Sequence, residues 1–129
     1  MLNDHLAAAL TKIINAERVG KREVVIRPAS KMIKVVLTLM NEHNYVGSSE
    51  ETKDDQGGIL RLNLLGNINR CGVIKPRFST TSKGFEKWEK RYLPAKDFGI
   101  IVVSTPHGVM THIQAKEKNT GGRLLAYCY

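Results

Sequence analysis

The spacing of apolar residues in the first half of the chain predicts two amphipathic helices. Apolar side chains recur at three- and four-residue steps between about Asp4 and Arg18, and they form one stripe: Leu6, Ala9, Leu10, Ile13 and Ile14. Asn3 or Asp4 can cap the start of this helix, and Gly20 suits its end. Ser30 is the predicted N-cap of the second helix, whose predicted buried face is Met32, Val35, Val36, Leu39 and Met40.

Short apolar and β-branched runs predict three strands in the same half. The segment REVVIR is a predicted strand that ends at Pro28, and Asn44 is expected to leave the second helix in a left-handed conformation. NYVGSSEET and GILRLNLLG flank the turn-rich KDDQGG and therefore predict a β-hairpin. The predicted order of elements is α-β-α-β-β.

The second half is predicted to be richer in strands. NINRCGVI, DFGIIVVST and RLLAYCY are strand candidates, and the continuously apolar DFGIIVVST is the clearest of them. KPRFSTTSKG is a predicted basic loop. FEKWEKRYL predicts either a short helix or a bent segment, which Pro94 stops. Thr111 and Gln114 form a capping box for another helix, which Gly121 and Gly122 are expected to end. The predicted fold class is α+β, with two small lobes at residues 1–66 and 67–129.

Composition adds limits on the class of protein. The 129 residues are 42% hydrophobic, which is ordinary for a folded domain. No apolar run approaches the roughly 20 residues that cross a bilayer, and the first residues lack the features of a secretory signal, so a cytoplasmic protein without a membrane partner is expected. Cys71 and Cys128 lie far apart along the chain in no metal-ligand spacing, which predicts reduced structural thiols.

The distribution of charge indicates a polyanionic partner. The chain carries a formal net charge of +8. Between Gly66 and Lys96 there are eight basic and two acidic residues, whereas residues 35–65 have a net charge of −3. One part of the protein is therefore suited to anions and another is not.

The segment VVSTPHGVMTHIQA places two hydroxyls at the end of the clearest strand. Ser104 could be a nucleophile with His107 as its base, but no glycine stands two residues before it and Asp97 is about 20 Å away at roughly 3.3 Å per residue. His107 and His112 are five residues apart, which is not the spacing of a helical metal pair. Catalytic residues, metal ligands, cofactors and a small-molecule substrate are therefore not expected.

A nucleic acid is the partner that these hydroxyls favour. Ser104 and Thr105 present short donor-acceptor groups on a rigid strand, and Gly108 lets the loop backbone approach a surface closely. Basic residues nearby would supply electrostatic attraction while the hydroxyls fix position. An ordinary Ser/Thr turn has the same sequence, so spacing alone leaves both possibilities open.

The C-terminal stretch FGIIVVSTPHGVMTHIQAKEKNTGGRLLAYCY resembles the signature of the universal family of small-subunit ribosomal protein eight. LAAALTKIINAERVGKREVVIRPASKMIKVVLTLMNEHNYVG resembles the N-terminal half of that family, and GNINRCGVIKPRF and EKWEKRYLPAKDFG resemble its archaeal and eukaryotic branch. The resemblance implies a two-lobe protein without enzymatic activity that binds the central domain of small-subunit rRNA early in assembly, beside neighbouring ribosomal proteins.

The resemblance also implies where RNA is bound. The main contact would be a loop of Ser104, Thr105 and Gly108, supported from behind by Gly121 and Gly122. In the N-terminal lobe it implies contacts at Thr11, Lys12, Asn15, Ser30 and Lys31. A separate hypothesis from charge is a phosphate-facing surface in the basic middle segment. Its basic residues are Lys75, Arg77, Lys87, Lys90 and Arg91, interleaved with Phe78, Trp88 and Tyr92.

Two departures from bacterial members affect the transfer of contacts. Pro106 stands where bacterial sequences commonly have a third hydroxyl, and Arg123 stands where they tend to have an acid. An alternative interpretation is a translational repressor that binds an mRNA hairpin similar to the rRNA site. Co-sedimentation with small subunits would separate that role from a structural one, and inhibition by a serine-reactive phosphonate would be needed for a hydrolase.

Overall fold

The chain forms two compact units, each with its own sheet. A computed structural model describes residues 5–27, 29–53, 58–95 and 98–129. The units are Met1–Arg70 and Cys71–Tyr129. The predicted helix cap at Asn3 or Asp4, the strand end at Pro28, the hairpin turn around residues 54–57 and Asp97 all lie outside the described residues. The fold class is α+β, as predicted.

The N-terminal unit has the predicted order of elements. These are α1 (His5–Val19), β1 (Glu23–Ile26), α2 (Lys31–Glu42), β2 (Val46–Thr52) and β3 (Ile59–Leu64). The Ser30 hydroxyl oxygen accepts a hydrogen bond from the Ile33 backbone N–H at 3.3 Å, so Ser30 caps α2 as predicted. Asn44 adopts the expected left-handed conformation after the helix, with φ of 62°.

The buried face of α2 differs in part from the predicted one. Val36, Leu39 and Met40 are buried as predicted, but Ile33 and Leu37 are also buried, whereas Met32 and Val35 are only half-buried. Positions 33, 36, 37 and 40 follow the i, i+3, i+4, i+7 pattern, which is the apolar stripe typical of a helix packed on a core. The packing of the unit selected this stripe from two adjacent apolar ones.

The N-terminal sheet is antiparallel with the strand order β1-β3-β2. Along its central strand Leu60, Leu62 and Leu64 are buried, while Arg61 and Asn63 are exposed. This alternation shows that the sheet buries one face and leaves the other open to solvent. The predicted β-hairpin is confirmed by the pairing of β2 with β3.

The C-terminal unit contains two strands that the sequence did not predict. Its elements are β4 (Cys71–Val73), β5 (Ser79–Thr80), α3 (Phe85–Tyr92), β6 (Ile100–Thr105), β7 (Gly108–Thr111), α4 (His112–Glu117) and β8 (Gly122–Cys128). The sheet order is β4-β8-β6-β7, and β5 pairs with the start of β8. β5 and β7 are too short to show a hydrophobic period, so only their pairing partners reveal them.

The helix α4 begins as predicted but ends differently. Thr111 and Gln114 form the predicted capping box, with both reciprocal hydrogen bonds present. The helix ends at Glu117, and Asn119 takes the left-handed conformation with φ of 53°. The prediction that Gly121 and Gly122 end this helix is therefore wrong. The helix has already ended at Glu117, and Gly122 is the first residue of β8.

The core of the C-terminal unit forms between α3 and the sheet. Phe85 and Trp88 of α3 belong to one buried cluster with strand residues and Ala115 of α4; the strand members include Ile101, Val103 and Leu124. Burial of these large side chains supplies most of the driving force for folding of the unit. β6 lies between β8 and β7 in the sheet, so a paired strand on each side holds its C-terminal end.

Candidate nucleic-acid interface

The hydroxyl of Thr105 is engaged within the β6–β7 turn. Thr105 pairs with Gly108 across the turn, and Pro106 and His107 form its tip. The Thr105 hydroxyl donates a hydrogen bond to the Gly108 carbonyl at 2.8 Å and accepts one from the His107 backbone N–H at 3.1 Å. These two bonds shape the turn, so the side chain of Thr105 is a structural part of it.

The tip of this turn is open and depends on glycine. Gly108 has φ of +116°, a conformation that side chains other than glycine rarely adopt. No atom lies within 4 Å of the position that a Cβ would occupy there. His107 is exposed, so the end of the hairpin is accessible to a large partner.

The hydroxyl of Ser104 has a different environment. Ser104 is half-buried, and its side chain forms no hydrogen bond to any residue that the structure describes. Its register partners are Val109 on β7 and Arg123 on β8, and Arg123 in turn pairs with Ser79 on β5. Register partners point to the same face of a sheet with Cβ atoms roughly 5 Å apart. We call these four residues the Ser104 row.

The glycine pair permits the strand spacing beside this row. A Cβ on Gly122 would lie 2.9 Å from Val103 Cγ1 and would overlap the Ser104 carbonyl oxygen. A Cβ on Gly121 would lie 2.8 Å from Thr81 Cα and would overlap the neighbouring Thr80 carbonyl oxygen. Both positions therefore need glycine, because the neighbouring backbones approach too closely for a side chain. A contact of Gly121 or Gly122 with RNA stays a prediction.

A buried polar cluster joins α3, α4 and β6. His112 is fully buried, and its Nδ1 accepts a hydrogen bond from the Ile101 backbone N–H at 3.1 Å. Its Nε2 lies 3.6 Å from Glu89 Oε1, and the Lys116 ammonium group contacts the same carboxylate oxygen. Glu89 is 4% exposed, so this carboxylate is compensated by cationic and N–H groups rather than by water. Within the described residues there is no group of three or more metal-ligating side chains.

Three of the expected contact residues in the N-terminal unit share one exposed face. Thr11, Lys12 and Asn15 are exposed on α1 at spacings that place them on neighbouring turns. Lys12 and Asn15 line a groove of about 460 Å³ between α1 and β1. The Lys12 ammonium group donates a hydrogen bond to the Val25 carbonyl at 3.1 Å, so it is positioned beside the edge strand.

The remaining expected residues lie at a helix start and in a loop. Lys31 is the first residue of α2 and is exposed, next to the capping residue Ser30. Cations are disfavoured at this end of a helix, and a bound phosphate would offset that cost. Lys75 and Arg77 are exposed and flank Pro76 in the loop between β4 and β5.

Comparison with known families identifies the class of protein to which the chain belongs. A model of the family described as ribosomal protein S8 matches residues 4–129. The chain belongs to this family. Membership identifies a small-subunit ribosomal protein that binds rRNA, with other ribosomal proteins as its further partners. No helix in the described parts of the chain has the length and apolarity needed to cross a membrane.

The sequence of this ribosomal protein did not predict two members of the Ser104 row as candidate site residues. Arg123 was noted only as a departure from bacterial relatives, and Ser79 was part of a predicted loop. Both are exposed, and the strand register places them in line with Ser104. No local pattern in the sequence could have revealed this, because the three residues come from three separate strands.

Proposed function

We propose that this ribosomal protein S8 family member binds the central domain of small-subunit rRNA through the β6–β7 hairpin and supports assembly of the subunit. The observation that carries the proposal is the half-buried Ser104 hydroxyl without a hydrogen-bond partner among the described residues, set on a rigid strand beside the exposed Arg123. A hydroxyl in this position can donate to or accept from a base edge or a 2′-OH.

The shape of the hairpin favours an irregular RNA stem. A regular RNA duplex hides its base edges in a deep and narrow major groove, whereas unpaired or distorted positions expose them. The β6–β7 hairpin is only two strands wide and offers one available hydroxyl. It can therefore reach an exposed base, but it cannot make contacts along the groove of a long duplex. The N-terminal residues Thr11, Lys12 and Asn15, with Ser30 and Lys31, would add contacts that orient the protein on the RNA.

The test measures binding to a central-domain stem with unpaired bases and to a scrambled stem, over a series of salt concentrations. Ser104→Ala should weaken binding to the cognate stem by about 1–2 kcal/mol, because a partner group on the RNA is left unpaired. Binding to the scrambled stem and the salt dependence should not change, since the hydroxyl carries no charge.

The matched control is Ser49→Ala, which removes an exposed serine hydroxyl from β2 in the N-terminal unit. It should leave both affinities unchanged. Equal losses on the cognate and scrambled stems for Ser104→Ala would show that the hairpin does not distinguish RNA sequences, and the proposed site would then be rejected.

A further inference from the structure

The helix α3 holds two cations against a row of stacked aromatic rings. The rings of Phe78 and Trp88 stack with centroids 4.7 Å apart, and Tyr92 continues the stack 6.4 Å from Trp88. The Arg91 guanidinium carbon lies 5.5 Å from the ring centroids of Phe78 and Tyr92 and 5.7 Å from that of Trp88. The Lys87 ammonium group lies 5.1 Å from the Trp88 centroid. We call the three rings the aromatic wall.

No carboxylate among the described residues forms an ion pair with the cations on this face of α3. Lys87 and Arg91 are four residues apart, so they are neighbours on the helix surface, and a like-charged pair at this spacing is destabilising. Both are exposed, and neither forms an ion pair with any described residue. The quadrupole of the rings attracts the cations but does not neutralise them.

The acidic residues of the same helix are directed elsewhere. Glu89 is buried and contacts Lys116. Glu86 and Glu89 line a separate groove of about 240 Å³ together with Lys90 and Leu93. Lys90 therefore has Glu86 four residues before it and shares a groove with it. Lys87 and Arg91 have no acidic residue three or four positions away in the sequence.

We infer that Lys87 and Arg91 form a second RNA-binding surface, which binds backbone phosphates without regard to sequence. The inference rests on rRNA binding by the protein and adds to the proposed hairpin contact. An aromatic ring attracts a guanidinium group without accepting its N–H groups in conventional hydrogen bonds, so the N–H groups of Arg91 can still donate to phosphate oxygens. Contact with the rings also restricts the side chain before binding, so less conformational entropy is lost when the phosphate arrives.

Stacking of a nucleobase on the wall is the less suitable alternative. Trp88 is only 7% exposed, so the largest ring of the wall has little free surface for a base. Its rings are already covered by each other and by the two cations. The groups that remain accessible are charged, which favours a phosphate as the ligand.

The test compares Lys87→Gln, Arg91→Gln and the double variant with the wild-type protein on the cognate and scrambled stems across a salt series. Each single variant should weaken binding to both RNAs by the same factor and lower the salt slope by about 1, and the double variant should lower it by about 2. The preference for the cognate stem should be unchanged, because phosphates carry no sequence information.

The matched control is Lys118→Gln, which removes an exposed positive charge at the end of α4 in the same unit. The control should leave the slope unchanged. Arg91→Lys provides a second variant that keeps the charge, and it should restore the slope even where Arg91→Gln perturbs the aromatic wall. The urea midpoint of each variant identifies any loss of folding.

The outcomes separate this inference from the hairpin proposal. Unchanged slopes for Lys87→Gln and Arg91→Gln would overturn the second surface, and so would an equal decrease for Lys118→Gln. A wild-type protein without preference for the cognate stem would instead reject the proposed hairpin contact. In that case lowered salt slopes for Lys87→Gln and Arg91→Gln would still support the second RNA-binding surface.

Discussion

Ser104 on β6 and Arg123 on β8 are register partners, so their side chains lie on the same face of the C-terminal sheet. The hydroxyl and the guanidinium group are therefore presented together on that face. Arg123 places a positive charge beside the Ser104 hydroxyl.

Substitution of Arg123 should weaken RNA binding through loss of charge. We expect Arg123→Gln to reduce affinity for cognate and scrambled stems alike and to lower the salt slope by about 1. Lys118→Gln, which removes an exposed charge at the end of α4, is the matched control and should have no effect on the slope. Filter binding over a salt series measures both. A loss confined to the cognate stem would show that Arg123 contacts a base.

Thr105 should affect stability as well as binding. Thr105→Val removes the hydrogen bonds to the Gly108 carbonyl and from the His107 N–H, so we expect a loss of about 1–2 kcal/mol in the free energy of unfolding. Thr105→Ser keeps the hydroxyl and should restore most of this stability. Urea unfolding gives the comparison. An unchanged stability of Thr105→Val, together with lost RNA preference, would mean that the hydroxyl contacts RNA and not the turn.

Gly122 should tolerate no side chain. The Cβ of Gly122→Ala would overlap the Ser104 carbonyl oxygen, and because the obstacle is backbone we expect a loss of about 3 kcal/mol in the free energy of unfolding. Gly20→Ala is the comparison, since no atom lies within 4 Å of its Cβ position and only the strain of φ +83° is added, roughly 1 kcal/mol. Thermal or urea unfolding distinguishes them. Equal losses would show that β8 shifts readily away from β6.

The buried carboxylate of Glu89 should contribute to stability, whereas its exposed neighbour should not. Glu89→Gln removes the charge that compensates Lys116 and faces His112, and we expect a loss of about 1–3 kcal/mol in the free energy of unfolding. The lysine is partly exposed and can regain water, which limits the cost. Glu86→Gln on the same helix should change stability by less than about 0.5 kcal/mol. Similar urea midpoints for both variants would contradict a structural role of the cluster.

Local chemistry explains why several elements were predictable from the sequence. The Ser30 cap, the Thr111–Gln114 capping box and the left-handed Asn44 each depend on residues within four positions of one another. The buried strand β6 was predictable because its apolar run is continuous. The stripe of α2 was only partly predictable, since two adjacent apolar faces were available and packing selected one.

What the sequence by itself determined is most of the local elements and the excess of positive charge, because helix periodicity, capping and net charge depend on residues near one another or on composition alone. The tertiary structure alone decided which distant residues meet. Sheet register sets Cys71 opposite Cys128 and aligns Ser79, Arg123 and Ser104. The packing of α3 brings Arg91 over the ring of Phe78. Strand pairing depends on hydrogen bonds between segments far apart in the chain, and no local pattern encodes that register.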